Sequence, residues 1–168
     1  MTAASERQGS LAEQMDHLIA RRDNREMDWD ALAFQTKVDP KYARAQMRYV
    51  GGGGTGKHAD PNMIPADHFT FSTMVIPPGH EGPPHVHHDV EEAFFVLEGE
   101  ITCTLERDGE AIERVLGPRD LVWVPAGVYR GVRNDTDKEC AMVVVLGAGR
   151  PQLPTYPPDH PLATARRD

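Results

Sequence analysis

Residues 79–99 read GHEGPPHVHHDVEEAFFVLEG, and this stretch determines how the rest of the chain is interpreted. His85 and His87 are separated by one residue, and side chains two apart in a strand point to the same face. Both imidazoles can therefore aim at one point, to which Glu92 can return after a bend over residues 88–91. Two neutral imidazoles and one carboxylate form the facial triad typical of mononuclear non-haem iron sites. The alternative is a histidine-rich surface loop that binds no metal.

The spacing of these residues resembles the first motif of the cupin family, which is carried here by Gly79, His85, His87, Glu92 and Gly99. A second cupin-like motif follows at residues 120–134, DLVWVPAGVYRGVRN. The two motifs and the strands between them cover about half of the chain. The resemblance implies an all-β fold, a double-stranded β-helix or jelly-roll barrel, which encloses side chains or one small ligand.

The hydrophobic pattern independently predicts at least seven short strands, because the period switches to two from residue 69 onward. Residues 101–106 alternate, with Ile101, Cys103 and Leu105 on one face, and residues 93–97 are apolar on both faces, which predicts a central strand. Asp108 and Gly109 predict a two-residue hairpin turn. The other predicted strands lie at 69–76, 111–116, 120–124, 128–133 and 140–146.

The segments outside the barrel are predicted to differ from it. Residues 10–22 predict an amphipathic helix with a capping box at Ser10 and Glu13. Residues 45–50 fit either a helix or an edge strand, and the basic residues Lys37, Lys41, Arg44 and Arg48 are interpreted as a solvated face. We expect a helical or irregular extension over residues 1–44, a barrel over 45–147 and a Pro-rich tail over 148–168. The tail is expected to run extended over the barrel or a partner subunit.

The stretch GGGGTGK at residues 51–57 fits the first seven positions of a phosphate-binding P-loop. The eighth position requires Ser or Thr but holds His58, and Pro61 and Pro65 interrupt the helix that should follow. We therefore reject nucleotide binding and expect a flexible glycine loop, a candidate lid over the mouth of the barrel.

Composition restricts the partners. The 168 residues carry a formal net charge of -8, which argues against a nucleic-acid surface. No apolar run approaches the roughly 20 residues needed to span a bilayer, and the N-terminus lacks a signal core, so we expect a cytoplasmic protein without membrane contact. Cys103 and Cys140 are expected to be buried, reduced thiols. Cupins commonly pair through sheet edges, and the resemblance implies a homodimer.

Arg130 is the departure from the family pattern, because the resemblance places a fourth ligand, a histidine, at this position. Arginine has no lone pair to offer and stays charged, so it cannot bind a metal. Three alternatives remain. Arg130 clamps a substrate carboxylate, and is then a catalytic residue; or it pairs with an acid such as Glu91 or Glu98; or the cavity holds no metal.

His85, His87 and Glu92 are accordingly the candidate ligands of one divalent ion, iron first, with manganese, nickel or zinc as alternatives. The leading hypothesis is a non-haem iron dioxygenase that acts on a small, anionic, oxygen-bearing molecule. The alternatives are a non-catalytic binding protein and a non-oxidative metal-dependent isomerase, lyase or decarboxylase, since the fold alone does not choose among them.

Overall fold

The computed structural model describes residues 10–56 and 60–167, whereas residues 1–9, 57–59 and 168 lie outside that description. The described residues form two antiparallel sheets. In spatial order, the first sheet contains β1 (Ala45–Val50), β2 (Thr70–Ile76), β9 (Cys140–Leu146), β4 (Glu92–Glu98) and β7 (Leu121–Val124). The second contains β3 (Glu81–His85), β8 (Tyr129–Arg133), β5 (Ile101–Arg107) and β6 (Glu110–Leu116).

The hydrophobic core lies between the two sheets, because alternate side chains of each strand point inward. The buried residues that form it are Met74, Ile76, Phe94, Val96, Ile101, Cys103, Val132, Cys140, Met142 and Val144. The inward face predicted for Ile101 and Cys103 is therefore confirmed. The all-β jelly-roll barrel expected from the sequence is confirmed, and β4 is an interior strand, paired on both sides with β7 and β9.

Two turns show why glycine is needed at particular positions. Asp108 and Gly109 connect the paired residues Arg107 and Glu110, and both have positive φ angles, 55° and 79°. This is the two-residue hairpin turn that the sequence predicts. Gly99 has a φ of 73°, and a Cβ there would lie 2.8 Å from the carbonyl oxygen of Glu139, so a larger residue would displace the backbone.

The N-terminal extension is partly helical, as expected. Helix α1 (Leu11–Leu18) begins at the predicted capping box, in which Ser10 and Glu13 bond reciprocally, but it ends before residue 22. A second short helix, α2 (Ala33–Thr36), follows. Of the two alternatives for residues 45–50, the structure has the strand β1.

The prediction of a solvated basic face is wrong for Arg44 and Arg48. Arg44 and Arg48 are buried, with 5% and 8% of their surface exposed. Arg48 forms ion pairs with Asp28 at 2.8 Å and Asp60 at 3.3 Å. The prediction assumed helical periodicity, whereas the extended backbone that leads into β1 directs these side chains inward.

The N-terminal extension and the C-terminal tail pack against the barrel and against each other. Phe34 and Tyr42 from the N-terminal extension form a second small core with Tyr156 and Leu162 from the C-terminal tail. The tail runs extended over the barrel of its own chain, where Thr155 pairs with Val86 through backbone hydrogen bonds of 2.8 and 3.0 Å.

Two further expectations concern thiols and membranes. Cys103 and Cys140 are both buried and free, as predicted, and burial raises the pKa of each thiol to about 11. Among residues 10–56 and 60–167, no helix is both long and apolar enough to cross a bilayer.

Candidate metal centre and its cavity

The structure brings the three predicted ligands together. His85 ends β3, and the pairing of Val86 with Thr155 keeps the chain extended up to His87, so both imidazoles lie on one side. Their ring centroids are 5.5 Å apart and the rings are nearly perpendicular, at 84°. Glu92 begins β4 and returns its carboxylate to the same place. One ligand atom from each of the three side chains lies within 4.8 Å of the others.

A backbone carbonyl determines which nitrogen of His85 is available. The Nδ1 atom lies 2.9 Å from the carbonyl oxygen of Pro83. Since a carbonyl can only accept, Nδ1 carries the proton and donates it, which leaves the lone pair on Nε2. Nε2 faces the carboxylate of Glu92, at 3.6 Å from Oε2. Such a carbonyl contact is the usual device by which proteins orient a ligating histidine.

His87 is held as a neutral ring. Its side chain is almost completely buried, and burial lowers its pKa to about 4, so the imidazole is uncharged at neutral pH. Its Nδ1 is buried and has no hydrogen-bond partner among the residues that the structure describes. Gly54 of the glycine loop lies against the ring, where a Cβ would be 3.0 Å from Cε1 and 3.4 Å from Nε2. Gly54 thus lies against the site, whereas Lys57, the last residue of the predicted loop, lies outside the described residues, and the role of the loop as a lid stays a prediction.

Glu92 is buried and ionised. Burial acts to raise the pKa of its carboxyl group, but the contacts of that group with His85, His87 and Arg130 outweigh burial. The pKa of Glu92 therefore lies below its ordinary value. A buried carboxylate needs a cationic partner to remain charged, and Arg130 supplies one, since both imidazoles are neutral.

Arg130 lies beneath the cluster. Its side chain is fully buried, and its Nε is 3.0 Å from Oε2 of Glu92. Nη1 donates to the carbonyl oxygens of Val128 at 3.1 Å and His85 at 3.3 Å. Nη2 is buried without a hydrogen-bond partner in the described part of the chain. The acid that Arg130 contacts is thus Glu92 rather than Glu91 or Glu98, and a direct catalytic role for Arg130 stays a prediction.

The donor set fits a divalent metal ion. Two neutral imidazoles and one carboxylate converge, and Glu92 Oε2 and His87 Nδ1 have no hydrogen-bond partner within residues 10–56 and 60–167. The ion pair with Arg130 does not use up Glu92, because a carboxylate offers about four lone-pair positions on its two oxygens. His85, His87 and Glu92 are therefore the residues that would hold the ion.

A cavity of about 60 Å³ adjoins the three ligands, enough space for a few heavy atoms. The barrel contributes an apolar wall of Met74, Phe94, Val132, Met142, Val144 and Leu146. Other lining residues come from outside the predicted motifs: Gln35 and Arg44 from the N-terminal extension, Gln46 from β1, Gly53 and Gly54 from the glycine loop, and Tyr156 and Arg167 from the tail.

The sequence does not reveal these additional lining residues, since they are far from the motif in the chain. The one signal in the sequence was the row of basic residues that includes Arg44, which was assigned to solvent. His68, His80 and His88 lie near the motif in the sequence, but they do not join the group of His85, His87 and Glu92. His88 is exposed and bonds Thr155 Oγ1 at 2.8 Å instead.

Comparison with known families agrees with the two motifs. Residues 72–146 match the sequence model of the cupin domain, a span that includes His85, His87, Glu92 and Arg130. Residues 72–146 of this chain are therefore a cupin domain. No curated protein sequence matches the chain significantly.

Solved structures share the fold at low sequence identity. KdgF from Halomonas sp. superposes with a TM-score of 0.55 and 16% identity, covering 79% of this chain and 94% of that one. The capsular polysaccharide assembling protein CapF from Staphylococcus aureus gives a TM-score of 0.53 and 17% identity, covering 67% and 29%. A recombinant oxalate oxidase in complex with glycolate gives 0.50 and 22%, covering 53% and 46%. This chain therefore spans less than half the length of the oxalate oxidase, and these similarities establish the fold alone.

Proposed function

We propose that this cupin is a metal-dependent enzyme that holds one divalent ion, iron in the cell, and acts on a small anionic molecule with adjacent oxygens, as a dioxygenase. The observation that carries the proposal is the convergence of His85, His87 and Glu92 at the edge of the cavity. Two neutral nitrogens and one carboxylate are the ligands typical of non-haem iron oxygenases.

The protein's own residues prepare the site before any ligand enters. Pro83 fixes the tautomer of His85, burial keeps His87 uncharged, and Arg130 helps to keep Glu92 ionised. Each of these effects leaves a lone pair available at neutral pH, so ion binding does not have to compete with a bound proton at His87.

A divalent ion bound by three protein ligands supplies open coordination positions where a chelating substrate and oxygen can be activated. The barrel contributes exclusion of water, since Phe94, Met142 and Leu146 line the cavity with apolar surface. Substrate size is restricted by the cavity of about 60 Å³, which favours an acid of a few carbon atoms.

A second function, ligand binding without metal, is favoured by one observation. Arg130 already supplies Glu92 with a cation at 3.0 Å, so the carboxylate is compensated in the absence of an ion. A barrel with this internal ion pair could keep Glu92 buried and ionised, and could bind a small molecule without catalysing a reaction. Metal content separates this function from the enzyme.

The test uses protein purified without a histidine tag, stripped of metal and reloaded anaerobically with ferrous iron. We expect oxygen uptake when a panel of small hydroxy and keto acids is added, and no uptake by His87→Ala. Stoichiometric iron binding with no oxygen uptake across the panel would overturn the dioxygenase and leave a non-oxidative metal enzyme. Failure to bind iron would leave the binding protein.

We further propose that the protein works in the cytoplasm. Two buried free thiols, Cys103 and Cys140, support a reducing compartment, in which cysteines are kept unpaired. Fractionation of the native host followed by immunodetection tests this location, and recovery outside the cytoplasmic fraction would contradict it.

A further inference from the structure

Arg44 is a buried cation. Only 5% of its surface is exposed, and no carboxylate among the described residues forms an ion pair with it. Its Nη1 donates to two neutral acceptors, Gln35 Oε1 at 2.7 Å and the carbonyl oxygen of Tyr42 at 2.9 Å. Burial lowers the pKa of Arg44 to about 10, which leaves the guanidinium charged at neutral pH. An unpaired buried charge is costly, so this one calls for an anion.

The guanidinium is held in place by a series of hydrogen bonds that joins the N-terminal extension to the C-terminal tail. Gln35 accepts from Arg44 through Oε1 and donates through Nε2 to the hydroxyl of Tyr156 at 2.6 Å. Tyr156 itself packs edge-on against Phe34, with ring centroids 6.4 Å apart. A donor fixed by neighbours in this way loses little freedom when it binds a ligand.

Two nitrogen atoms of Arg44, Nε and Nη2, remain available to a ligand in the cavity. Nε and Nη2 make no hydrogen bond to the described residues, whereas Nη1 is fully used. Arg44 lines the same cavity as His85, His87 and Glu92. The Nε and Nη2 atoms of a guanidinium present two parallel N–H donors, the geometry that matches both oxygens of a carboxylate.

Other polar atoms that line the cavity support a polar ligand. Gln46 is two residues from Arg44, and its Nε2 donates to Ser72 Oγ at 2.9 Å. Its Oε1 and the hydroxyl of Thr70 are buried without a hydrogen-bond partner within the described ranges, and both residues line the cavity. Buried polar atoms are rarely left unpaired, which indicates that a polar ligand or water completes them.

We infer that Arg44 is the carboxylate-binding residue of this cavity, and that the ligand is a small carboxylic acid whose carboxylate lies on Nε and Nη2 of Arg44. This inference rests on the proposed function for the use of the cavity as a substrate site. It assigns the anion to Arg44, the residue that directly precedes β1, while Arg130 pairs with Glu92 and is not among the residues that line the cavity.

Lactate and its neutral analogue lactamide test the inference by calorimetry, on metal-free protein and on protein loaded with one equivalent of Mn²⁺. We expect lactate to bind at least one of the two forms, and lactamide to bind about tenfold to a hundredfold more weakly, the range for one charged hydrogen-bonded contact. Arg44→Gln should lose the preference for lactate. Gln35→Glu should lose it too, because it places a carboxylate against Nη1 while conserving size and fold.

Lys41→Gln is the matched control, since it removes the same charge from an exposed residue that is paired with Glu81 at 3.1 Å. It should bind lactate as the unmodified protein does. Equal binding of lactate and lactamide, lactate binding unchanged in Arg44→Gln and Gln35→Glu, or no lactate binding to either form would overturn the inference. Mn²⁺ binding is measured in the same titrations. If the unmodified protein does not bind Mn²⁺, that result contradicts the proposed metal site and is distinct from the result for Arg44.

Discussion

Arg130 Nε lies 3.0 Å from Glu92 Oε2, so a fixed cation contacts the carboxylate that is also the acidic member of the candidate metal site. Both side chains are buried, at 0% and 5% exposure. In the second motif of the family, a histidine usually occupies the position of Arg130. Here a guanidinium contacts the carboxylate from one side, and three side chains would hold the proposed ion.

Removing this cation should make the protein depend on metal for its stability. Arg130→Met leaves Glu92 charged and unpaired in the core, which should cost the metal-free protein about 3 kcal/mol in free energy of unfolding. A bound divalent ion should restore much of that loss. Urea denaturation with and without metal measures both effects, and Arg130→His should tighten metal binding by adding a fourth ligand.

Arg133→Met is the control for Arg130→Met. Arg133 forms its ion pairs with Glu113 and Asp135 at the surface, and an exposed pair contributes no more than about 1 kcal/mol. Its loss should be small and independent of metal. Equal effects of the two substitutions would show that the Arg130–Glu92 contact has no special role.

Gly54→Ala tests whether the glycine loop positions His87. The new Cβ would lie 3.0 Å from Cε1 of His87, so either the ring or the loop must move. Disturbing a group that orients a ligating histidine typically weakens metal binding about tenfold or more. Metal titration measures the effect. Gly117→Ala, whose Cβ would meet nothing closer than 3.9 Å, should leave metal affinity unchanged.

Acid should destabilise the metal-free protein through His87. Its pKa is about 4 in the folded protein and about 6.5 when unfolded, so below pH 6.5 the unfolded chain binds the extra proton. The stability that His87 contributes is present above pH 6.5 and lost as pH falls toward 4. Lowering the pH from 7 to 5 should remove about 2 kcal/mol of unfolding free energy by this route.

His87→Gln removes the titrating group and provides the comparison for that measurement. Urea denaturation of both proteins at pH 7 and pH 5 should show a smaller loss for the variant. An identical pH dependence in the two proteins would mean that protonation of His87 is not coupled to folding.

Assembly into a homodimer remains a prediction, and β7 supplies a candidate surface for it. Leu121 and Trp123 are 58% and 57% exposed on this strand, which ends the order of its sheet in the described structure. Light scattering at micromolar concentration should give the dimer mass, and Trp123→Glu should reduce it to the monomer mass. A monomer in the unmodified protein would contradict the prediction.

The sequence predicted the barrel and the convergence of His85, His87 and Glu92, because both depend on local patterns. Alternation identified the inward face of β5, and the spacing of His85 and His87 placed both rings on one side. The part of the cavity lined by Gln35, Arg44 and Tyr156 depends on tertiary packing. Nothing in the periodicity showed that Gln35 would join Arg44 to Tyr156, which is 121 residues away from Gln35 in the chain.

Arg130 shows a different limit. Its residue type excluded it as a ligand, but the choice of acid depended on which inward-facing side chains meet across the two sheets. Glu91 and Glu92 are neighbours that point to opposite faces of an extended chain. Because Glu92 is the one that faces the interior, it is the acid that Arg130 contacts.

The most direct test of the metal site is an anaerobic titration of metal-free, untagged protein with ferrous iron, followed by calorimetry. The site described by His85, His87 and Glu92 predicts one equivalent bound tightly by the unmodified protein and none by His87→Ala. No binding by the unmodified protein, or equal binding by His87→Ala, would contradict it.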